Sequence, residues 1–491
     1  MLDTKDLNAS TETTSLVRLP PLLARRDVLR VGGISVAATL IPQSCRLHAA
    51  GSIGTVDRSG PGKAKSVIFL WMGGGVTHID SFDPKPQAPS EVRGSLEDIA
   101  TNVPGIRFCE TLPKLASVTD KLAVLRSFSH DSDDHLLSQV YTLSGRRINR
   151  LQLFSEPNIG SVVWRTHGPR SGLPGYIAVP GVTRPGPPPH NLFVGGWLGS
   201  KYAPYCLGGL PEQPDFSVGE KLYDPPAKYE EELRPQSLSL SPDVSLSRLS
   251  NRQALRDAFD QALRTVERQD QFQAAEAQFQ NGLRLLHTPE VRQAFEVGDE
   301  PSSVRENYGR TKIGGRCLTA RRLVEAGARF VMVDYGYDPD YGNIWDNHNA
   351  PVQNHPPIQQ MVFRGYHLAG MDRAFAALIS DLSSRGLLET TLVVFVTEFG
   401  RTPTINKLGG RDHWGRAGSL FFAGAGIKTG QVVGQTDRTA SRPLTRPYGP
   451  WDVAATIYHL MGINHEDFTA DFQDRPRPIL DEGAIIRELL A

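Results

Sequence analysis

Histidine and acidic side chains follow several short apolar runs of this sequence. His78 and Asp80 come after the first run, and "HDSDDH", which spans His130 to His135, comes after the second. Imidazole nitrogens and carboxylate oxygens are ligands that zinc, manganese and iron accept in proteins. A single pair of this kind is better explained as a capped polar residue at a strand end, so repetition of the pattern is what indicates a metal site.

Two later segments repeat the pattern. Asp334 ends a third apolar run, and "WDNH", with Asp346 and His348, follows it. A fourth run ends at Glu398 and is followed by "GRDHW". Four such groups favour one or two divalent metal ions, which we expect to be zinc, manganese or iron. The predicted metal ligands are His78, Asp80, His135, Asp346, His348, Glu398, Asp412 and His413.

Buried strands are the elements that would bring these groups together. Five apolar runs, "KSVIFLWM", "KLAVLRSF", "ARFVMVDY", "TLVVFVTEF" and "SLFFAG", have the length and composition of strands. Helical patterns lie between several of them, such as the apolar face from Leu368 to Leu382. This alternation predicts an α/β fold with a mostly parallel sheet sandwiched by helices. Ligands collect at the carboxyl ends of the strands in such sheets, where the polar groups lie.

An export signal is predicted at residues 1–50. Adjacent Arg25 and Arg26 precede an apolar stretch from Val31 to Ile41, and two alanines follow at a cleavage point. The stretch is too short to span a bilayer comfortably, so we expect no stable membrane span. The pattern resembles a twin-arginine signal, which implies the twin-arginine translocase as a partner and a periplasmic or extracellular protein. The alternative is a terminus in which two arginines adjoin by chance.

Composition and periodicity describe the rest of the chain. Lys plus Arg and Asp plus Glu number 53 each in 491 residues, so no net charge favours nucleic acid as a partner. The four cysteines lack CxxC spacing, which favours free thiols over a disulfide.

A glycine-rich linker is predicted over 51–65 and one domain over 66–491. Apolar residues at helical spacing predict a helical insertion at about 245–300.

Five segments of the chain occur together in one known family. They are "VIFLWMGGGVTHIDSFDPKP", "YGRTKIGGRCLTARRLVEAGARFVMV", "WDNHNA", "TEFGRTPTINKLGGRDHW" and "FFAGAGIKTGQVVGQTD". Together they resemble the DUF1501 family of the alkaline phosphatase-like superfamily, which includes sulfatases and phosphoglycerate mutases. The resemblance runs from about residue 60 to the C-terminus. It implies an alkaline phosphatase-like fold and places Asp80, Asp346 and His348 at metal-binding positions.

Two positions depart from the pattern that this superfamily shows. Counting back from Gly145 in "HLLSQVYTLSGRR" places His135 where sulfatases carry their nucleophile. Glu398 and Phe399 stand where relatives carry an Asp-His-Gly metal signature, and His413 is a candidate for the missing imidazole. His135 is therefore predicted to be a metal ligand. The alternatives are a covalent nucleophile and a remnant of a lost reaction.

Two functions agree with these observations. The first is a metal-dependent hydrolase of phosphate or sulfate esters, in which the metal activates water and stabilises negative charge. Arg401 is a candidate to bind the anionic group of the substrate, or else a loop arginine in a salt bridge. Trp71, Trp345 and Trp414 are candidates for a platform that binds a sulfated or phosphorylated glycan, or else ordinary packing residues at a sheet edge. The alternative is a catalytically inactive exported binding or scaffold protein that retains the fold.

We predict that replacing both Arg25 and Arg26 with lysine keeps a reporter fused to residues 1–50 in the cytoplasm. The reason is that the translocase recognises the arginine pair. Cell fractionation and reporter activity measure the outcome, and the unaltered signal serves as the control. Export of the double variant through the twin-arginine route would show that residues 1–50 are not such a signal.

Overall fold

An eight-stranded mixed sheet lies at the centre of the computed structural model, which describes residues 62–181, 191–208, 289–338, 340–349 and 355–491. In chain order, the strands of these ranges are β1 (Ser66–Trp71), β2 (Asp98–Ala100), β3 (Arg107–Cys109), β4 (Leu122–Phe128), β5 (Tyr176–Val179), β6 (Tyr205–Cys206), β7 (Phe330–Asp334), β8 (Tyr337–Asp338), β9 (Gly342–Asn343), β10 (Thr391–Val396), β11 (Gly400–Arg401), β12 (His413–Trp414), β13 (Gly418–Gly424), β14 (Gln431–Val433), β15 (Phe468–Ala470) and β16 (Pro476–Pro478).

The strand order of the large sheet is β14-β4-β13-β10-β1-β7-β5-β6. β13 runs antiparallel to both of its neighbours, and every other pairing in this sheet is parallel. In register, Trp71 at the end of β1 lies between Val396 of β10 and Asp334 of β7. The carboxyl ends of these three central strands therefore reach the same edge of the sheet, and the predicted mostly parallel α/β sheet is confirmed.

Helices cover both faces of the sheet, as the sequence predicts. Side chains of β1 alternate between two cores, with Ile68 and Leu70 in one and Val67 and Phe69 in the other. All six residues of β1 are buried because both faces of this parallel strand are covered. In chain order, the α-helices of the described ranges are α1 (Ser90–Arg93), α2 (Pro113–Ala116), α3 (His135–Ser144), α4 (Ile159–His167), α5 (Pro289–Ala294), α6 (Ser302–Tyr308), α7 (Lys312–Glu325), α8 (Ile358–Met361), α9 (Leu368–Ser384) and α10 (Pro450–Leu460).

Each helical layer packs as a unit on its own side. α7 and α9 contact each other and contribute their apolar faces to the first core, together with Ile68 and Leu70. α3 and α10 contact each other and, with α4, contribute to the second core. α3 starts at His135, where Asp134 accepts a hydrogen bond from the Leu137 N–H at 3.0 Å as the N-cap. The cap fixes where the helix begins and therefore where His135 stands.

Several predictions fall partly outside the described residues. The predicted signal at 1–50, the linker up to residue 61 and residues 245–288 of the predicted insertion lie there. The described end of that insertion begins with α5. Three described cysteines, at positions 109, 206 and 317, are free, as predicted. Among the described helices, none combines the length and apolar character that crossing a bilayer requires.

A glycine turn follows β1 and leads into the segment with His78 and Asp80. Gly74 and Gly75 have φ angles of 129° and 85°, in the region that side chains disfavour. A Cβ atom at Gly75 would lie 2.5 Å from the ring of Phe399. Gly74 and Gly75 therefore let the backbone approach the segment after β10 more closely than a side chain would permit.

We predict that Gly75→Ala destabilises the fold more than Gly105→Ala does. Gly105 has a matching φ of 83°, but its substituent would meet no atom within 4 Å. Gly105→Ala should cost about 1–2 kcal/mol for the backbone conformation alone. Gly75→Ala should cost about 1–3 kcal/mol more because the methyl group overlaps Phe399. Urea unfolding of both variants measures the difference, and equal losses would contradict the close approach.

Candidate metal centre

Three side chains from separate parts of the chain converge at the carboxyl edge of the sheet. We call His135, Asp346 and His413 the His/Asp cluster; one potential ligand atom from each lies within 4.8 Å of the other two. His135 Nε2 is 3.2 Å from Asp346 Oδ2, and His413 Nε2 is 3.2 Å from Asp346 Oδ1. Asp346 therefore lies between two imidazole rings. Each ring directs its Nε2 at a different oxygen of the carboxylate.

Local structure holds each member of the cluster. His135 is the first residue of α3, and His413 lies in β12, which pairs with β11 so that His413 is opposite Arg401. Asp346 follows Trp345, whose fully buried indole donates its Nε1–H to the Tyr335 carbonyl at 2.6 Å. His135 and His413 therefore stand on regular elements, and the buried Trp345 anchors the loop that carries Asp346.

Hydrogen bonds at the far side of each ring define which nitrogen faces Asp346. His135 Nδ1 is 2.8 Å from Glu398 Oε1, and an ionised carboxylate only accepts, so Nδ1–H is the donor. His413 Nδ1–H donates in the same way to the Asp133 carbonyl at 3.1 Å. In the neutral rings, both Nε2 lone pairs therefore face the oxygens of Asp346. Such contacts need a proton or a metal ion between them.

His135 Nε2 shows this requirement directly. It is buried and has no hydrogen-bond partner of acceptable geometry, although a carboxylate lies 3.2 Å away. Two imidazole nitrogens and a carboxylate oxygen are the donor set of many zinc, iron and manganese centres. The residues present therefore fit a divalent cation.

Aromatic and imidazole rings pack around the cluster. His348 donates its Nδ1–H to Asp346 Oδ1 at 2.6 Å, and its ring centroid is 4.8 Å from that of His413. Phe399 lies 5.0 Å from the ring centroids of both His135 and His413 and is stacked on the latter. Phe399 thus forms an apolar wall behind the two rings. His348 is the most exposed of the three imidazoles, so the cluster opens to solvent on its side.

Arg401 lies beneath the cluster and is fully buried. Its guanidinium donates to the carbonyls of Gly74, Gly75 and Trp345 and to Asp346 Oδ1, the last at 3.0 Å. These bonds occupy the guanidinium inside the protein, so Arg401 links the glycine turn to Asp346. The sequence offered two roles for this residue, and the structure gives it an internal salt bridge rather than an exposed anion clamp.

Other predicted ligands lie apart from the cluster. Both oxygens of Asp80 accept hydrogen bonds from Arg411 at 2.8 Å, and both side chains are fully buried. His78 has its Nε2 2.8 Å from the Ala440 carbonyl, and Asp412 is exposed. Asp80 therefore neutralises the charge of the buried Arg411. His78 forms a hydrogen bond with the loop that contains Ala440. The structure brings His135, Asp346, His348, Glu398 and His413 together and leaves His78, Asp80 and Asp412 outside this group. Metal binding by the predicted residues stays a prediction.

Sequence reasoning did not single out Gln139, which completes the surroundings of Glu398. Gln139 Nε2 donates to Glu398 Oε1 at 2.9 Å. It stands one helical turn after His135 on α3, and residues four apart share a face of a helix. The four-residue spacing from His135 was the feature of the sequence that could have indicated Gln139.

Charge around the cluster shifts several pKa values. Burial alone would lower the pKa of His135, but the charge of Asp346 and hydrogen bonds to Asp346 and Glu398 outweigh it and raise the pKa. Burial opposes ionisation of Asp346, yet His135 and the other imidazoles hold the pKa of Asp346 well below its usual range. The pKa of His413 is lowered, mainly by burial. Without a metal, a protonated His135 ring would therefore lie between two carboxylates, with Nδ1 facing Glu398 and Nε2 facing Asp346.

The chain matches one family over most of its length. Residues 64–490 match the family described as "Protein of unknown function (DUF1501)", which confirms the family that the sequence resemblance predicts. No curated protein matches the sequence.

Solved structures of distant sequence are similar to parts of this chain. BT1596, a 2-O GAG sulfatase, shares 12% identity at a TM-score of 0.36, with 86% of this chain and 73% of that chain covered. A phosphonate monoester hydrolase from Silicibacter pomeroyi shares 12% at 0.33, with 81% and 73% covered. The lipoteichoic acid synthase of Listeria monocytogenes shares 8% at 0.31, with 82% and 73% covered. Because these TM-scores are below 0.5, the fold described above rests on the chain's own strands and helices.

We predict opposite effects of two aspartate substitutions. Asp346→Asn should abolish binding of zinc, because it removes the carboxylate that faces both Nε2 atoms. Asp80→Asn should leave bound zinc unchanged and cost about 3–5 kcal/mol of stability, because Arg411 is left buried without its partner. Elemental analysis and urea unfolding measure the two effects. Loss of zinc from Asp80→Asn, with zinc retained by Asp346→Asn, would contradict the placement of the site.

We predict that zinc affinity rises with pH. A bound ion replaces a proton on His135. Because the pKa of that ring is raised, protons compete with the metal ion at pH values above 6.5, the ordinary pKa of histidine. Affinity should fall by up to about tenfold per pH unit below the folded pKa and level off above it. The stability of the metal-free protein should change in the opposite direction. His135 contributes stability below pH 6.5, and this contribution is lost as the pH rises through the folded pKa of the ring. Zinc titrations from pH 6 to 9 test this; an affinity independent of pH would contradict it.

Proposed function

The chain belongs to the DUF1501 family, and we propose that it is a metal-dependent hydrolase of phosphate or sulfate esters. One observation carries the proposal: two imidazoles, each hydrogen-bonded through Nδ1, direct their Nε2 atoms at the two oxygens of one carboxylate. In the neutral tautomers that these Nδ1 hydrogen bonds select, two nitrogen lone pairs face one carboxylate, and that set of atoms suits a cation more than it suits structural packing.

His135, His413 and Asp346 would hold the ion through Nε2, Nε2 and a carboxylate oxygen. When bound, a divalent metal lowers the pKa of water and stabilises the negative charge that develops during ester hydrolysis. Arg401 and His348 fix Asp346 from two further directions, so the carboxylate does not turn away from the rings. Phe399 keeps water from the back of both imidazoles.

The nucleophile in this proposal is water. His135 has one ring nitrogen on Glu398 and the other directed at Asp346, so neither is free to attack a substrate. Ser132 lies nearby in the chain, but its Oγ accepts a hydrogen bond from the Asp134 N–H at 3.2 Å and one from the Ser138 hydroxyl at 3.0 Å. Ser132 is therefore a turn residue at the start of α3, and the metal-ligand role of His135 is favoured over a covalent one.

An anionic substrate suits the electrostatics of this edge. The cluster lies at the N-terminal, positive end of the ten-residue helix α3, which favours negative groups. With Asp346, Glu398 and Arg401 charged, one divalent ion would leave the centre with a net positive charge. The substrate class that follows is a phosphate or sulfate ester, with sulfated or phosphorylated glycans as the proposed source. Export through the twin-arginine translocase would place the enzyme in the periplasm or outside the cell.

We predict that the zinc- or manganese-loaded protein hydrolyses at least one member of a panel of 4-nitrophenyl phosphate, phosphonate and sulfate esters. Asp346→Asn should reduce the rate by roughly 10³-fold or more, because the centre loses its electrostatic stabilisation. Asp412→Asn is the matched control, since it removes an exposed carboxylate next to His413 and should keep most of the activity. A protein that binds metal but hydrolyses no ester would contradict the hydrolase and favour the binding protein.

A further inference from the structure

We propose that Glu398 is a positioning residue that holds His135 in the tautomer whose Nε2 faces the His/Asp cluster, and that Glu398 does not bind the metal itself. The inference rests on the proposed metal centre and assigns the group that sets its geometry. It also reverses the simplest expectation for a carboxylate at the end of a central strand, which is that it binds the ion directly.

The hydrogen bonds of Glu398 leave it no capacity to bind a metal. Its side chain is fully buried. Gly74 N–H donates to Oε1 at 2.8 Å and to Oε2 at 2.9 Å, and Gly75 N–H donates to Oε2 at 3.1 Å. Gln139 Nε2 and His135 Nδ1 add donors to Oε1 at 2.9 and 2.8 Å. The Thr397 hydroxyl is a further donor, 3.3 Å from Oε2, so five donor groups share a carboxylate that offers about four lone-pair sites.

The glycine turn after β1 supplies the part of this arrangement that no side chain can replace. Backbone N–H groups presented by successive residues of unusual conformation form a concave anion site. Gly74 and Gly75 have positive φ angles, and a Cβ atom on either would overlap Trp345 or Phe399. The occupant of this anion site is the protein's own Glu398. The turn therefore fixes the carboxylate in a single orientation.

The fixed carboxylate in turn fixes His135. A ring with its proton on Nε2 would direct the Nδ1 lone pair at Glu398 Oε1 from 2.8 Å, which is repulsive. The tautomer with the proton on Nδ1 makes a charge-assisted hydrogen bond instead. Its Nε2 lone pair then points toward Asp346. A histidine that donates to a carboxylate is also a more basic ligand, as outer partners of metal-bound histidines generally are.

His413 offers an internal comparison. Its Nδ1–H donates to a backbone carbonyl, that of Asp133, at 3.1 Å. A carbonyl sets the tautomer but carries no full charge. The two rings of the cluster are therefore oriented by different means, and of these two outer partners Glu398 is the one that a substitution can alter.

The test uses Zn²⁺ alone with the wild-type chain, Glu398→Gln, Asp346→Asn and the control Asp412→Asn. A glutamine side chain has one accepting oxygen, so it cannot satisfy both glycine N–H groups and His135 together. We expect Glu398→Gln to bind one Zn²⁺ with an affinity about 10–100-fold weaker, Asp346→Asn to bind none, and Asp412→Asn to match the wild type. ¹⁵N NMR of the imidazoles should show His135 bound to Zn²⁺ through Nε2 and protonated on Nδ1 in the wild type, with this signature disturbed in Glu398→Gln.

Two outcomes would overturn the inference. If Glu398→Gln loses Zn²⁺ as completely as Asp346→Asn, Glu398 is a ligand; if its affinity and the His135 spectrum are unchanged, Glu398 positions nothing. Should Glu398→Gln fail to fold, the wild-type spectrum decides alone, since Zn²⁺ on Nδ1 would contradict the proposal. Should the wild type bind no Zn²⁺, the proposed function fails, and the neutral ring of the metal-free protein still tests the role of Glu398: a proton on Nδ1 supports it, and a proton on Nε2 overturns it.

Discussion

Two carboxylates, Asp346 and Glu398, flank the imidazole of His135 at the edge of the sheet. Buried charges are tolerated only when they are paired and hydrogen-bonded, so the surroundings of these two groups are strongly constrained. Glu398 receives backbone and side-chain N–H groups, whereas Asp346 receives Arg401 and histidines. The two acids therefore have different chemistry available to them. One is saturated, and the other still faces two nitrogen lone pairs.

The fold supplies this difference through the order of its central strands. β1 and β10 are neighbours, so the glycine turn after β1 and Glu398 after β10 emerge side by side. β7 lies on the other side of β1, and the chain after it reaches Asp346 by way of Trp345. The single reversed strand, β13, follows the hairpin of β11 and β12 that carries His413. Rigid strands thus bring these loops to one edge, where they meet His135 at the start of α3.

Much of this arrangement was accessible from the sequence because its signals are local. Apolar runs mark the central strands, and polar groups after each run mark the edge that carries the cluster. The pairing of Asp80 with Arg411 was not accessible, since these residues are 331 positions apart and any acid at the end of a strand suits a metal equally well by type. The role of Glu398 was hidden for a similar reason. It depends on how many N–H groups reach the carboxylate, and that number is a property of the packed turn and helix.

In the proposed metal centre, His135, His413 and Asp346 hold the ion while Glu398 and Asp80 do not. Anomalous diffraction at the zinc absorption edge, from crystals grown with Zn²⁺, tests it most directly. We expect one peak at about 2.0–2.2 Å from both Nε2 atoms and a carboxylate oxygen of Asp346. A peak coordinated by Glu398 or Asp80, or density for zinc elsewhere with the cluster empty, would contradict it.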